Sequence, residues 1–280
     1  MKELNKFIYI FEGLDIAHGI TKKSSEVNEK GKNETRSFTI HKPPIEKLWL
    51  DHLEGKDPGL GIIPINRDNK LKWGCIDIDI YPVVHQGFVK KLQEKNIKAI
   101  VFRSKSGGAH IFVFTKTFVP AIVMRAKLKI IASEIGYARA EIYPKQDTIN
   151  VARGDTGSFL NLPYHNCKDS VRYAFNSKGI KMSLEEFFEY HNEMAMTEEE
   201  LTNFAIVNEK ENLDYFKGMP PCLVTLLSDG VPNGQRNNCM YNVGVYLKKR
   251  YPENNEWKGR MHIYDEKFMK PPLGSNEVDV

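Results

Sequence analysis

Two hydrophobic periods alternate along the middle of the chain. Cys75-Ile76-Asp77-Ile78-Asp79-Ile80 repeats every second residue, as a β-strand does. Ile76, Ile78 and Ile80 then point into a core, and Asp77 and Asp79 share the other face. Val84, Phe88 and Leu92 follow at helical spacing within 84–95. Extended patterns resume at 97–103 and 109–115, separated by the glycine-containing turn 104–108. Pro120 opens a helix in which Met124, Leu128, Ile131, Ala132 and Ile135 share a face, and Gly136 is placed to end it. Residues 139–143 read as a strand stopped by Pro144, with Arg139, Glu141 and Tyr143 on one side. The order is β-α-β-β-α-β, that of the ferredoxin-like split unit. Its usual sheet has the first strand in the centre, flanked by the third and the fourth. Asp77, Asp79, His110 and Glu141 are therefore expected on adjacent strands of one open sheet face.

The flanking segments are less regular. Residues 7–11 are rich in β-formers and predict a strand, and the polar stretch 21–36 predicts a mobile loop or a hairpin. Extended structure at 37–40, a short amphipathic helix at 45–53 and a buried strand at 59–65 complete an N-terminal unit. Beyond the central sheet, 158–163 and 171–175 predict two more strands. Ser183 and Glu186 have capping-box spacing at the start of a helix. From Pro220 onward the pattern changes to short helices broken by Gly and Pro, which places a domain boundary near Glu211. The predicted class is α+β. An N-terminal α/β unit (1–70) and an RRM-like βαββαβ sheet (71–180) form one domain over 1–210, followed by a small α-helical domain over 211–280.

Composition narrows the setting. The 280 residues carry a net charge of +4, and the four cysteines show no CxxC spacing. That argues against a zinc module and a disulfide scaffold, and for a reducing compartment. A cytoplasmic location, or host cytoplasm if the source is viral, is the expectation. No apolar run approaches the roughly 20 residues needed to span a bilayer, so no membrane partner is expected. Basic residues outnumber acidic ones between Lys90 and Arg153, whereas 184–214 is acidic. A polyanionic partner and ordinary solvated helices fit this segregation equally.

The chemistry sits in three short stretches. Two carboxylates side by side on an apolar strand are costly unless neutralised, and oxygen-only ligands favour Mg2+ or Mn2+ over zinc. With Glu141 as a third acid, Asp77 and Asp79 form a candidate two-metal cradle; a solvated strand end and a Glu paired with lysine are the plainer alternatives. The stretch Arg103-Ser104-Lys105-Ser106-Gly107-Gly108-Ala109-His110 joins a tight turn, a hydroxyl, an imidazole and two cations. It suits phosphate oxygens, although Ser-Gly-Gly also makes ordinary hairpin turns and His110 could be a core histidine. Lys145 is a further candidate triphosphate contact, and Asn161 a candidate partner for a sugar or base.

Together these motifs resemble the archaeo-eukaryotic primase superfamily, specifically its phage and mobile-element primase-polymerases. The Asp-x-Asp strand, the glycine turn leading to His110, and the strand-borne Glu141 match the family's three motifs in order. Glu141 departs from the Asp common at the third position. Gly59-Leu60-Gly61-Ile62-Ile63-Pro64-Ile65 and Asn161-Leu162-Pro163-Tyr164 look like further elements of this branch. The stretch 230–238, with Arg236, Asn237 and Asn238 at a helix start, and the stretches 268–273 and 275–278 resemble the small helical domain that follows many phage primase cores. There the three side chains are candidate nucleotide or template contacts, or else residues that cap the helix and pin the interdomain contact.

The resemblance implies a template-dependent DNA primase-polymerase that joins NTPs or dNTPs on single-stranded DNA. Asp77, Asp79 and Glu141 would hold Mg2+ or Mn2+, and Arg103, Ser106, Gly107, Gly108, His110, Lys145 and Asn161 would hold the nucleotide. A replicative helicase, fused or separate, is an expected partner. The sequence stops at Val280 without the cysteine-rich segment and helicase that often follow, so a piece of a longer polypeptide is expected. Two rivals stand beside this reading. One is an RRM-like single-strand binder that stacks bases on Phe112 and Phe114. The other is a metal-dependent nuclease using the same acids.

Overall fold

The computed structural model describes residues 2–27, 33–203, 215–228, 230–273 and 278. The expected boundary near Glu211 and the motif residues 275–277 lie outside them.

The N-terminus is a helix, α1 (Lys2–Phe11), where a strand was expected. A strand would place Phe7, Tyr9 and Phe11 on one face. Instead Phe7 and Phe11 are fully buried while Tyr9 is 57% exposed. The stripe that wins is Leu4, Phe7, Ile10 and Phe11, with the spacing of a helix packed along one side. The hairpin alternative for the polar stretch is realised by β1 (His18–Val27) and β2 (Asn33–Ile40), longer than the sequence suggested. Then come α2 (Glu46–Leu53) and the three-residue β3 (Leu60–Ile62).

The central unit follows in the expected order: β4 (Lys70–Ile78), α3 (His85–Glu94), β5 (Ile100–Arg103), β6 (Ala109–Pro120), α4 (Ala121–Glu134) and β7 (Glu141–Tyr143). Its four strands pair antiparallel in the order β5-β6-β4-β7, so β4 is flanked by β6 and β7. Met124, Leu128, Ile131, Ala132 and Ile135 are all buried, as their spacing requires.

The next strand, β8 (Leu160–Asn161), does not extend this sheet. It closes a second antiparallel sheet of order β2-β1-β3-β8. Residues 171–175 make isolated bridges, Ala174 to Phe102 and Phe175 to Lys181, rather than a full strand. Helix α5 (Leu184–Met194) starts at Ser183 with the capping box that was expected. It is followed by α6 (Glu198–Asn203), α7 (Pro221–Ser228), β9 (Val231–Pro232), α8 (Arg236–Arg250), α9 (Glu256–Phe268) and β10 (Met269–Lys270), which pairs with β9.

Both faces of the central sheet are covered, which overturns the expectation of an open face. Ile76, Ile78, Val101, Ile111 and Val113 pack on one side in a core shared with α3 and α4. On the other side Trp73, Phe102, Phe112 and Phe114 pack against α1, α5, β3 and β8. Phe11 contacts Trp73, Phe112 and Phe114 edge-on, and Phe187 stacks on Phe11. A ring buried this way contributes about 1.5–3 kcal/mol. Phe112 is fully buried and Phe114 is 1% exposed, so neither offers a face to a base. The RRM-type stacking alternative falls on that observation. A third, separate core joins α7, α8 and α9 through Leu227, Val243, Leu247 and Phe268.

Candidate functional site

Register builds the site. On β4, Asp77 lies opposite His110 of β6 on one side and Glu141 of β7 on the other. Directly paired residues of an antiparallel sheet point to the same face, so the three side chains form one row across three strands. That face is the aromatic one. The row comes one step beyond Cys75, Phe112 and Tyr143, where the cover of α1 and α5 gives way to a cleft.

The cleft, about 730 Å³ in volume, lies between the two sheets. One wall carries Asp77, Asp79 and His110; the other is the second sheet, with Thr21, Ser37, Thr39 and Asn161 facing in. Thr21 Oγ1 lies 3.2 Å from Ser37 Oγ and donates to Asn161 Oδ1 at 3.1 Å. The wall is shaped by two glycines. Gly19 and Gly61 are register neighbours, and a Cβ at either would fall 2.0 or 2.4 Å from the Phe159 ring. The ring of Phe159 therefore rests on bare backbone and lines the cleft.

The acids are not equivalent. Asp77 is mostly buried, and its Oδ1 has no hydrogen-bond partner, although His110 Nε2 lies 3.2 Å away. Asp79 is one residue past the end of β4 and exposed. The hydroxyl of Tyr81 lies 3.0 Å from Asp79 Oδ1 and 2.7 Å from Ser106 Oγ. Glu141 shares the row with Asp77 but is turned outward, its Oε2 held by Lys145 Nζ at 2.9 Å and by the Tyr143 hydroxyl at 3.1 Å. Among the described residues no three His, Cys, Asp or Glu side chains are gathered as a cation would gather them. The donor set nevertheless fits a hard divalent ion: carboxylate oxygens only, one of them buried and without a partner, with a third acid on the adjacent strand.

The turn after β5 keeps part of its backbone for itself. Ser104 N–H donates to the Gly108 carbonyl at 2.9 Å and Gly107 N–H to the Ser104 carbonyl at 3.1 Å, so those two groups are not free to meet a phosphate oxygen. Gly107 has φ +94°, which favours glycine. At Gly108 a Cβ would fall 2.6 Å from the Ile78 carbonyl and 3.1 Å from Asp79 Oδ1, so the missing side chain lets the turn close on the acids. His85 caps this arrangement from α3, its Nε2 3.0 Å from the Gly108 carbonyl. Burial is the main cause that lowers the pKa of His85, followed in effect by the Gly108 contact, which opposes it.

Positive charge gathers at the same cleft. Arg103 and Lys105 line it, and so does Arg172, which the sequence reading missed. Arg172 is 8% exposed and bonds the Leu162 carbonyl at 3.2 Å rather than a carboxylate, and burial lowers its pKa. Burial likewise raises the phenols of Tyr81 and Tyr143; the nearby acids add to it at both, and at Tyr81 the Ser106 contact opposes it.

The sequence-expected residues thus divide. Asp77, Asp79, Arg103, Ser106, His110 and Asn161 line one cleft. Glu141 and Lys145 stand beside it as an ion pair. Arg236, Asn237 and Asn238 do not line it. Arg236 lies in the C-terminal helices and donates to the Pro271 carbonyl at 2.6 Å and to Asn233 Oδ1 at 2.7 Å, while Asn237 and Asn238 are exposed on α8. Arg236 thereby pins the chain that follows α9 within the C-terminal helices, and caps no helix. Of the residues missed, Tyr81 was within reach: it continues the alternation of Asp77 and Asp79. The hydroxyl wall and Arg172 carry no local signal, because only tertiary packing brings them to the acids.

Comparison with known proteins adds three findings. The family model described as the archaeo-eukaryotic primase domain of TOTE conflict systems matches residues 17–201. No curated protein matches the chain. Among solved structures, the catalytic domain of primase RepB' in complex with initiator DNA is 12% identical, with 69% of this chain and 93% of that one covered and a TM-score of 0.31. Primase RepB' itself is 13% identical, over 99% and 96%, with a TM-score of 0.32.

Proposed function

The chain belongs to the archaeo-eukaryotic primase superfamily, in the family of TOTE conflict-system primase domains, and from that premise we propose that it is a template-dependent nucleotidyltransferase. It would join nucleoside triphosphates on a single-stranded DNA template and release pyrophosphate, in phage or mobile-element replication. The observation that carries the reading is that Asp77, Asp79 and His110 open into a cleft edged with cations, with Glu141 next to Asp77 in the cross-strand row. Acids alone would repel a polyphosphate, and cations alone would bind one without chemistry. Their meeting in one cleft is what nucleotidyl transfer requires.

Asp77 and Asp79 would hold Mg2+ or Mn2+, with Glu141 completing the set once it leaves Lys145. The metal supplies charge neutralisation at the reacting phosphate and activates the attacking hydroxyl. The protein supplies the rest. His110 and Ser106 direct hydrogen bonds at phosphate oxygens, and Arg103, Arg172 and, after release from Glu141, Lys145 balance their charge. Asn161, Thr21 and Ser37 offer neutral partners for sugar or base, and the Phe159 ring a flat apolar surface. The order β5-β6-β4-β7 supports an RRM-like catalytic sheet, and the separate core of α7, α8 and α9 supports a helical C-terminal domain over 211–280. A replicative helicase, fused or separate, would supply the single strand.

The test is incubation with a single-stranded DNA template, Mg2+ or Mn2+, and labelled NTPs and dNTPs side by side. Template-dependent product longer than a dinucleotide supports the proposal and identifies the preferred sugar. Release of nucleotides from labelled DNA without incorporation would replace it with the nuclease reading.

A further inference from the structure

Tyr81 joins the two halves of the proposed site. Its hydroxyl lies 3.0 Å from Asp79 Oδ1, a proposed metal ligand, and 2.7 Å from Ser106 Oγ, a proposed phosphate donor. A phenol has one proton to give and an ionised carboxylate can only accept, so the Tyr81 proton goes to Asp79. The short contact to Ser106 then requires the Ser106 hydroxyl to donate to the phenol oxygen. Ser104 Oγ stands 3.3 Å behind Ser106 and extends the line. The direction of the whole chain, from Ser106 through Tyr81 to Asp79, is thus fixed by the charge at its end.

This has a consequence for both substrates. Ser106 has no second proton, so it cannot donate to a phosphate oxygen while it donates to Tyr81. Asp79 likewise has one oxygen engaged by the phenol. The backbone of Tyr81 is held in turn from the C-terminal helices: Asn255, at the start of α9, donates from Nδ2 to the Tyr81 carbonyl at 2.7 Å. The clasp is therefore braced against a separate element and does not hang on a free loop.

We propose that Tyr81 is a positioning residue that clasps Asp79 to Ser106 until nucleotide binds and so couples metal binding to nucleotide binding. A nucleotide triphosphate that draws Ser106 away removes the second hold on the phenol, so the Tyr81 side chain can turn together with Asp79 and the other carboxylate oxygen can face a cation. The proposal rests on the nucleotidyl-transfer reading of the cleft.

The experiment measures Mn2+ affinity by titration calorimetry on the whole chain, alone and with a non-hydrolysable nucleoside triphosphate analogue, in the wild type and in Tyr81→Phe. The Phe variant keeps the ring and removes only the hydroxyl. In the wild type the analogue should strengthen Mn2+ binding about tenfold or more. In Tyr81→Phe, Mn2+ alone should bind about tenfold tighter than in the wild type, the worth of one hydrogen bond to a charged group. The gain on adding the analogue should then shrink toward none. A variant with unchanged Mn2+ affinity and the full wild-type gain would overturn the clasp, as would equal weakening of both states, the mark of a merely structural role. If the wild type bound neither Mn2+ nor the analogue, the reading of the cleft would fall and the clasp with it.

Discussion

At the scale of single residues, the decisive feature is the unpartnered oxygen of Asp77. A mostly buried carboxylate oxygen that makes no hydrogen bond, even to His110 Nε2 at 3.2 Å, is destabilising by itself, and such costs are found where function needs them. Replacing Asp77 by Asn removes the charge and adds a donor. We expect Asp77→Asn to unfold at the same temperature as the wild type or higher, as thermal denaturation would show. Mn2+ binding should weaken by about 100-fold or more. A drop in melting temperature of several degrees would mean that the carboxylate is a structural partner of His110 instead. Much at this scale was legible in the sequence, because strand alternation and the order of elements were enough to set Asp77, His110 and Glu141 side by side. The pairing of Glu141 with a lysine was legible too, as the plainer alternative to metal binding; that the lysine is Lys145, four residues on around a turn, was not.

At the scale of elements, two devices hold the walls of the cleft. The first is His52 on α2, which is 1% exposed. Its Nδ1 accepts from Leu60 N–H at 2.9 Å and its Nε2 donates to the Pro163 carbonyl at 2.8 Å, tying β3 to the segment after β8. Burial is the main cause that lowers its pKa from 6.5 to about 3. Between those values the unfolded chain takes a proton that the folded chain refuses. Its contribution to stability is thus fully present above about pH 6.5 and is lost as pH falls toward 3, at up to about 1.4 kcal/mol per unit. Urea unfolding between pH 4 and 7 should show this slope, and His52→Phe should be less stable at pH 7 but flatter with pH.

The second device is the glycine pair under Phe159. Gly61→Ala should push the ring into the cleft and cost about 1–3 kcal/mol. Phe159→Ala added to it should recover part of that loss in a double-mutant cycle. Additive effects would mean that the ring does not rest on the glycines. The strand expected at 7–11 shows why such features escape a sequence reading. Residues of high β-propensity became α1 because a helix buries Phe7, Ile10 and Phe11, together with Leu4, against the central sheet, and propensity yields to that packing.

At the scale of the whole molecule, the C-terminal helices meet the central unit at a defined seam. Gly259 of α9 rests on the end of α4 so closely that a Cβ would fall 1.7 Å from the Gly136 carbonyl oxygen. Beside it the Glu256 carboxylate, 9% exposed, is held between Lys91 of α3 and Arg260. Burial lowers the pKa of Lys91 and Glu256 opposes that shift, so the lysine depends on its partner. Gly259→Ala must displace α9. The expected outcome is faster hydrogen exchange at the facing ends of α3 and α4, with the cores of both sheets unchanged; no change in exchange would mean that the seam carries no coupling. The existence of a helical C-terminal part was legible from the change in pattern at Pro220. Its seam was not, because it depends on two glycines 123 positions apart whose contact no local pattern records.

The central claim is that the cleft between the sheets performs metal-dependent nucleotidyl transfer through Asp77 and Asp79. The most direct measurement is incorporation of labelled nucleotide on single-stranded DNA by the wild type and by Asp77→Asn/Asp79→Asn, both shown by circular dichroism to be folded. The wild type should give product that requires Mg2+ or Mn2+, and the double variant should lose about 100-fold or more of it. Full incorporation by the folded double variant would contradict it.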